Sequence, residues 1–63
     1  MTARGDRIEL IRTLDPYTKL RPGDQGTVRS VREELGNLKI GVDWDSGSTL
    51  SLIEGADSWR VIS

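Results

Sequence analysis

Tyr17, Lys19, Arg21 and Trp59 are the residues whose types suit recognition: one aromatic ring flanked by cations, and a second ring close to the C-terminal end. Covalent chemistry has little to work with. The 63 residues include no histidine and no cysteine, so the common nucleophile–base pairs and the usual zinc ligand sets are missing. A Ser-Lys pair or a carboxylate dyad would still need a dry pocket of about 300 Å³, which a domain this small hardly encloses. Asp43, Asp45 and Gly47 resemble the start of a calcium loop, but the pattern needs a further Asp or Asn and its Gly at another offset. Asp45 is therefore expected to form a turn. The chain is expected to be no enzyme and to carry no metal and no cofactor.

Recognition has better material. Tyr17 lies in the middle of a long connection beside Lys19 and Arg21, where binding modules place their contacts. Trp59 precedes the last apolar stretch; if it met Tyr17, the two rings would make an aromatic groove of the kind that holds extended proline-rich peptides. Trp44 shares the parity of Ile40 and Val42 and belongs to the core or the mouth of a barrel. Arg12, Lys19, Arg21, Arg29 and Arg32 form a candidate phosphate-binding stripe. Against it stand a calculated pI of about 5.2 and four carboxylates, Glu9, Asp24, Glu33 and Glu34, available to pair with those cations.

The formal net charge of −1 hides an asymmetry: residues 1–32 carry +3 and residues 33–63 carry −4. Such a division marks an oriented binding surface, or two halves that fold together and neutralise each other. No apolar run approaches the roughly 18 residues needed to cross a bilayer, and residues 1–12 lack the apolar centre of a signal peptide. A cytoplasmic location is expected.

The elements that must position these residues follow from apolar spacing. Leu38, Ile40, Val42 and Trp44 alternate with Lys39, Gly41 and Asp43, which suits a strand with one face in a core. Asp45-Ser46-Gly47 then fits a three-residue hairpin loop with Gly47 left-handed, and residues 49–53 return with Leu50 and Leu52 on one face. Earlier, Ile8, Leu10 and Ile11 make a first strand over residues 7–12. Residues 13–24 form a long connection punctuated by Asp15-Pro16 and by Arg21-Pro22-Gly23-Asp24, a type II turn.

Residues 26–32 make a second strand, in which the three-residue spacing of Val28 and Val31 requires a bulge or a sharp bend. Gly36-Asn37 is expected as a two-residue type II′ turn, although Ser30 and Glu33 also have capping-box spacing, with Gly36 able to stop a short helix. One tight turn around Gly55 and Asp57-Ser58 leads to a short fifth strand at residues 60–62. Five short strands in this layout predict an all-β, small five-stranded SH3-like barrel spanning residues 6–63, closed where the chain ends meet, after a flexible N-terminus at residues 1–5.

Two segments, residues 15–28 (DPYTKLRPGDQGTV) and residues 44–53 (WDSGSTLSLI), together resemble a family of short stand-alone proteins of unknown function from Gram-positive bacteria, their phages and conjugative plasmids. The resemblance covers nearly the whole chain after Gly5. It implies an SH3-like fold and a mobile-element or accessory context, and it carries over no catalytic residue. Residues 22–28 (PGDQGTV) are also similar to the KOW-type motif of ribosomal and transcription-associated barrels, without their strongly basic surroundings.

These readings converge on a non-enzymatic binding module. The first expectation is a protein partner held by Tyr17, Lys19, Arg21 and Trp59. The alternatives are weak nucleic-acid binding through Arg12, Arg29 and Arg32 together with Lys19 and Arg21, and a homo-oligomer that pairs the positive half of one copy with the negative half of another.

Overall fold

The computed structural model describes residues 2–15 and 17–63. Its elements are five strands: β1 (Arg7–Arg12), β2 (Gln25–Glu34), β3 (Asn37–Trp44), β4 (Leu52–Ile53) and β5 (Ser58–Val61). They form one antiparallel sheet in the order β4-β3-β2-β1-β5. The first strand has the bounds that apolar spacing assigns it. Among the described residues there is no helix, so none that is long and apolar enough to cross a membrane.

Alternation translates directly into burial. Ile40, Val42 and Trp44 of β3 face inward with Ile8, Leu10, Val28 and Leu52, and Leu38, Leu50 and Trp59 pack against that cluster. Trp44 solves the problem of burying an indole by donating its ring N–H to the Leu50 carbonyl at 2.8 Å. β4 begins only at Leu52, shorter than the strand expected over residues 49–53.

The irregular spacing of Val28 and Val31 marks a real bulge. Val28 pairs with Val42 but Ser30 pairs with Gly41, so Arg29 is the extra residue and the register shifts there. Before the bulge, Gly26 faces Trp44. A Cβ built on Gly26 would stand 2.7 Å from Val42 Cγ1 and 2.8 Å from the Asp43 carbonyl oxygen, so this register accepts only glycine.

That register also corrects the position of the next turn. Glu34 pairs with Asn37, and the two-residue loop is Leu35-Gly36, one residue earlier than expected. Both central residues have positive φ, 51° at Leu35 and 84° at Gly36, the signature of a type I′ turn rather than II′. In place of the alternative short helix over residues 30–36, residues 30–34 are strand and Leu35-Gly36 the turn. The 45–47 turn forms as its composition requires: Gly47 N–H donates to the Trp44 carbonyl at 2.9 Å, with Gly47 at φ 92°.

The sheet does not close. β5 pairs with β1, and residues near the two chain ends meet where Arg7 N–H donates to the Ser63 carbonyl. Between β4 and β5 there is only an isolated bridge, Glu54 with Asp57, so the sheet keeps two edges. The expected closed barrel is therefore, as observed, an open five-stranded sheet. Of residues 1–5, Met1 lies outside the described residues, as does Pro16 of the long connection. Gly5 N–H donates to the Val28 carbonyl at 2.8 Å, and Thr2 accepts from the Trp59 indole N–H at 2.9 Å.

Candidate functional site

Residues 13–24 leave β1 and return to it, and side-chain caps hold them on the way. Asp57 links this connection to β4: its Oδ1 accepts from the Thr13 hydroxyl at 2.8 Å, and its Oδ2 accepts from the Ile53 N–H at 2.9 Å. Asp15 accepts from the Tyr17 N–H at 2.9 Å, and the Thr18 hydroxyl accepts from the Leu20 N–H at 3.1 Å, two local turns that compete well with any ladder. Leu20 is buried in the core and pins the segment. The Arg21-Pro22-Gly23-Asp24 turn closes with Asp24 N–H on the Arg21 carbonyl, and Gly23 N–H returns to the Leu10 carbonyl.

Anchoring Leu20 leaves Tyr17 outside, with 92% of its surface accessible. Its ring stands at one wall of an open cleft of about 670 Å³. Asp15, Thr18 and Lys19 share that wall, and the facing wall is residues 46–50, with Leu50 as its apolar patch. Fixed charge of both signs, three hydroxyl residues at positions 46, 48 and 49, and one exposed ring make a surface that offers hydrogen bonds and one large apolar contact.

The facing wall is fixed from below. Arg7 grips Asp45 at the turn with both branches of its guanidinium, Nη1 to Oδ1 at 2.8 Å and Nη2 to Oδ2 at 2.6 Å, and Nη1 also donates to the Thr27 hydroxyl. Hydrogen bonding from Arg7 holds the Asp45 carboxyl below its ordinary range, and the same bond raises Arg7 further.

Of the residues expected to contact a partner, the structure brings Tyr17 and Lys19 together and leaves the others elsewhere. Trp59 does not line the Tyr17 cleft. It sits opposite Leu10 in the β1–β5 ladder, half-buried against the core, with its indole N–H used by Thr2. The groove of two rings is thus not built. Arg21 is exposed at its type II turn and Arg12 at the end of β1, neither lining the cleft.

Arg29 and Arg32 do come together, in a separate depression of about 340 Å³ on the outer side of β2 and β3. Lys39, which spacing along the chain did not single out, joins them through its register opposite Arg32. The stripe of five cations is accordingly split among separate places.

Folding brings the two oppositely charged halves into contact. Among the described residues there are four ion pairs, and Arg7–Asp45, Arg29–Asp43 and Arg60–Glu9 each join the first half to the second. The fourth, Lys39–Glu34, is loose at 3.9 Å. Among the described residues none of the four carboxylates expected to pair with the five cations of the stripe does so: Glu9 meets Arg60, Glu34 meets Lys39, and Arg29 takes Asp43 instead. No cluster of three or more metal-ligating side chains occurs among the described residues.

A family model for a domain of unknown function, DUF4314, matches residues 2–62, and the chain belongs to that family. No curated protein and no solved structure matches it.

Proposed function

We propose that this DUF4314 protein is a small binding module of SH3-like architecture that holds an extended segment of a protein partner in the Tyr17 cleft, without catalysing a reaction. The observation that carries this reading is the exposure of Tyr17 on a loop whose neighbours are firmly anchored. Holding a large ring in water above a loop pinned by Leu20 and capped by Asp15, Thr18 and Asp57 has no benefit for folding. Rigid presentation of an aromatic residue lowers the entropy lost on binding, which is what a recognition surface needs.

The chemistry of the walls indicates the ligand. A peptide backbone in extended form offers alternating donors and acceptors to Thr18, Ser46, Ser48 and Thr49, while an apolar side chain packs between Tyr17 and Leu50. The strand order β4-β3-β2-β1-β5, the long first connection and the Leu52-to-Ser58 turn support an SH3-like architecture, even though β4 and β5 form no ladder. A polyanion is the weaker occupant, because Arg12, Lys19, Arg21 and Arg29 do not share one depression. A cytoplasmic adaptor or accessory role, in a host or a mobile element, fits a cleft suited to an extended segment.

The test is selection of a displayed peptide library on the folded full chain. The expected result is a family of related peptides whose affinity for the Tyr17→Ala variant falls about tenfold or more, with an unchanged melting temperature. Failure to enrich any sequence, or enriched peptides indifferent to Tyr17→Ala, would contradict the reading.

A further inference from the structure

The depression on the outer side of β2 and β3 is a second, independent feature, and its construction is unusual for a solvated strand face. Arg32 and Lys39 are directly opposite each other in the antiparallel ladder, a like-charge pair that disfavours the folded state. Glu34, which lines the same depression, meets Lys39 at 3.9 Å. A third cation is delivered by the bulge: Arg29 is the extra residue of β2, and its guanidinium lies across the β3 backbone at Gly41.

The position of that guanidinium is specific. Its Nη1 donates to Asp43 Oδ1 at 3.0 Å. The opposite edge is directed over Gly41, where a built Cβ would stand 3.4 Å from Nη2 and 3.7 Å from Nε. Among the described residues, no hydrogen bond uses that Nε–Nη2 edge. The missing side chain at Gly41 lets the Ser30 hydroxyl and the Arg29 guanidinium settle over the β3 backbone, since a Cβ there would stand 2.5 Å from Ser30 Oγ, and Ser30, Ser51 and Glu34 contribute to the lining. Two parallel N–H donors, two further cations and two hydroxyls, against the single carboxylate of Glu34 in the lining, form the donor set of an oxyanion with several acceptor oxygens.

We infer that this depression binds a single phosphoryl group carried by a small ligand, a phosphomonoester dianion. The Nε–Nη2 edge of Arg29 takes two phosphoryl oxygens side by side, Arg32 and Lys39 neutralise the remaining charge, and the bound dianion relieves the repulsion between them. The scale of the site favours one phosphate over a nucleic-acid strand. At about 340 Å³ it has room for one such group and its immediate substituent, and neither Arg12, Lys19 nor Arg21 extends it into a track.

The experiment is an amide NMR titration of the full chain with inorganic phosphate and, separately, with adenosine 5′-monophosphate, each against sodium chloride at matched ionic strength. Both probes are expected to give saturable shifts centred on residues 29–32, 39–41 and 51 that chloride does not reproduce. Equal affinity for the two would place recognition in the phosphoryl group alone, and tighter binding of the nucleotide would show that its substituent adds contacts; both support the site. Arg32→Gln is expected to weaken binding about tenfold while the melting temperature holds. Gly41→Ala provides a second reading, because its methyl would meet Ser30 Oγ at 2.5 Å and Arg29 Nη2 at 3.4 Å and so displaces both groups from the site. It should abolish the shifts in a protein that still shows a dispersed spectrum.

Shifts that chloride reproduces, or affinity unchanged in Arg32→Gln, would overturn the proposal. So would a short oligothymidylate without terminal phosphate that binds more tightly than either probe and spreads its shifts to Arg12 and Lys19.

Discussion

The Tyr17 cleft and the Arg29 depression are built in opposite ways. The cleft is made of loops: its residues have few ladder bonds, and its shape depends on side-chain caps from Asp15, Thr18 and Asp57, on one buried anchor, Leu20, and on the Arg7–Asp45 clamp. The depression is made of ladder: backbone register alone sets Arg32 opposite Lys39 and drops Arg29 onto Gly41. The loop surface is held by individual caps and one buried side chain, whereas the ladder surface presents charges at a spacing set by strand register. The difference teaches that the two sites should fail for different reasons.

The largest expected effect breaks the ladder. Gly26→Val forces a side chain against Val42 and the Asp43 carbonyl, and is expected to cost upwards of about 3 kcal/mol. For a domain whose core supplies only about 3–5 kcal/mol, that means a chain largely unfolded by circular dichroism. Leu20→Ala attacks the loop surface instead. Removing this buried anchor is expected to destabilise by about 3 kcal/mol in urea titration. In the fraction that remains folded, hydrogen exchange should accelerate at residues 17–20 before it does in β2 and β3.

A smaller effect of opposite sign is expected at the hairpin tip. Leu35 is fully exposed and holds a left-handed conformation that branched and bulky side chains rarely adopt. Leu35→Asn, giving the preferred Asn-Gly pair of a type I′ turn, should raise stability by about 1 kcal/mol and leave both sites untouched. A neutral or negative result would mean that the turn is not the one described.

The smallest effect concerns pH. Since the folded-state pKa of Asp45 lies below its unfolded value, its contribution is complete above the unfolded carboxylate pKa and disappears as pH falls through the folded one. The difference in melting temperature between the wild type and Asp45→Asn should therefore shrink to nothing on acidification. It should also diminish with salt, because the pair is exposed.

What could be read from the chain divides along the same line as the two surfaces. The alternation of Ile40, Val42 and Trp44, the left-handed Gly47 and the broken spacing of Val28 and Val31 are local signals, and each has its counterpart in the strand, turn and bulge observed. Leu20 escaped because a single apolar residue in a polar connection has no period to declare it. The Leu35-Gly36 turn escaped because leucine is a poor residue for positive φ; the register that imposes it is set by the fit of Gly26 against Trp44 on the far side of the bulge.

The candidate sites depend on pairings that no local pattern carries. Tyr17 and Lys19 are near neighbours in sequence, so their association was legible, but the facing wall at residues 46–50 was not. Lys39 joins Arg32 only through cross-strand register, and Trp59 is separated from Tyr17 because its strand places it opposite Leu10. The cue available in advance was Gly41, a glycine in an otherwise well-formed strand, which marks a close approach by another group.

The most direct test of the account maps where a selected peptide lies. In an amide NMR titration of the full chain with one enriched peptide, the account predicts shifts at residues 17–20 and 46–50, with residues 29–32 and 39–41 unmoved and still responsive to added phosphate. Shifts centred on Trp59 and β5, or on the Arg29 depression, with residues 17–20 unchanged, would contradict it.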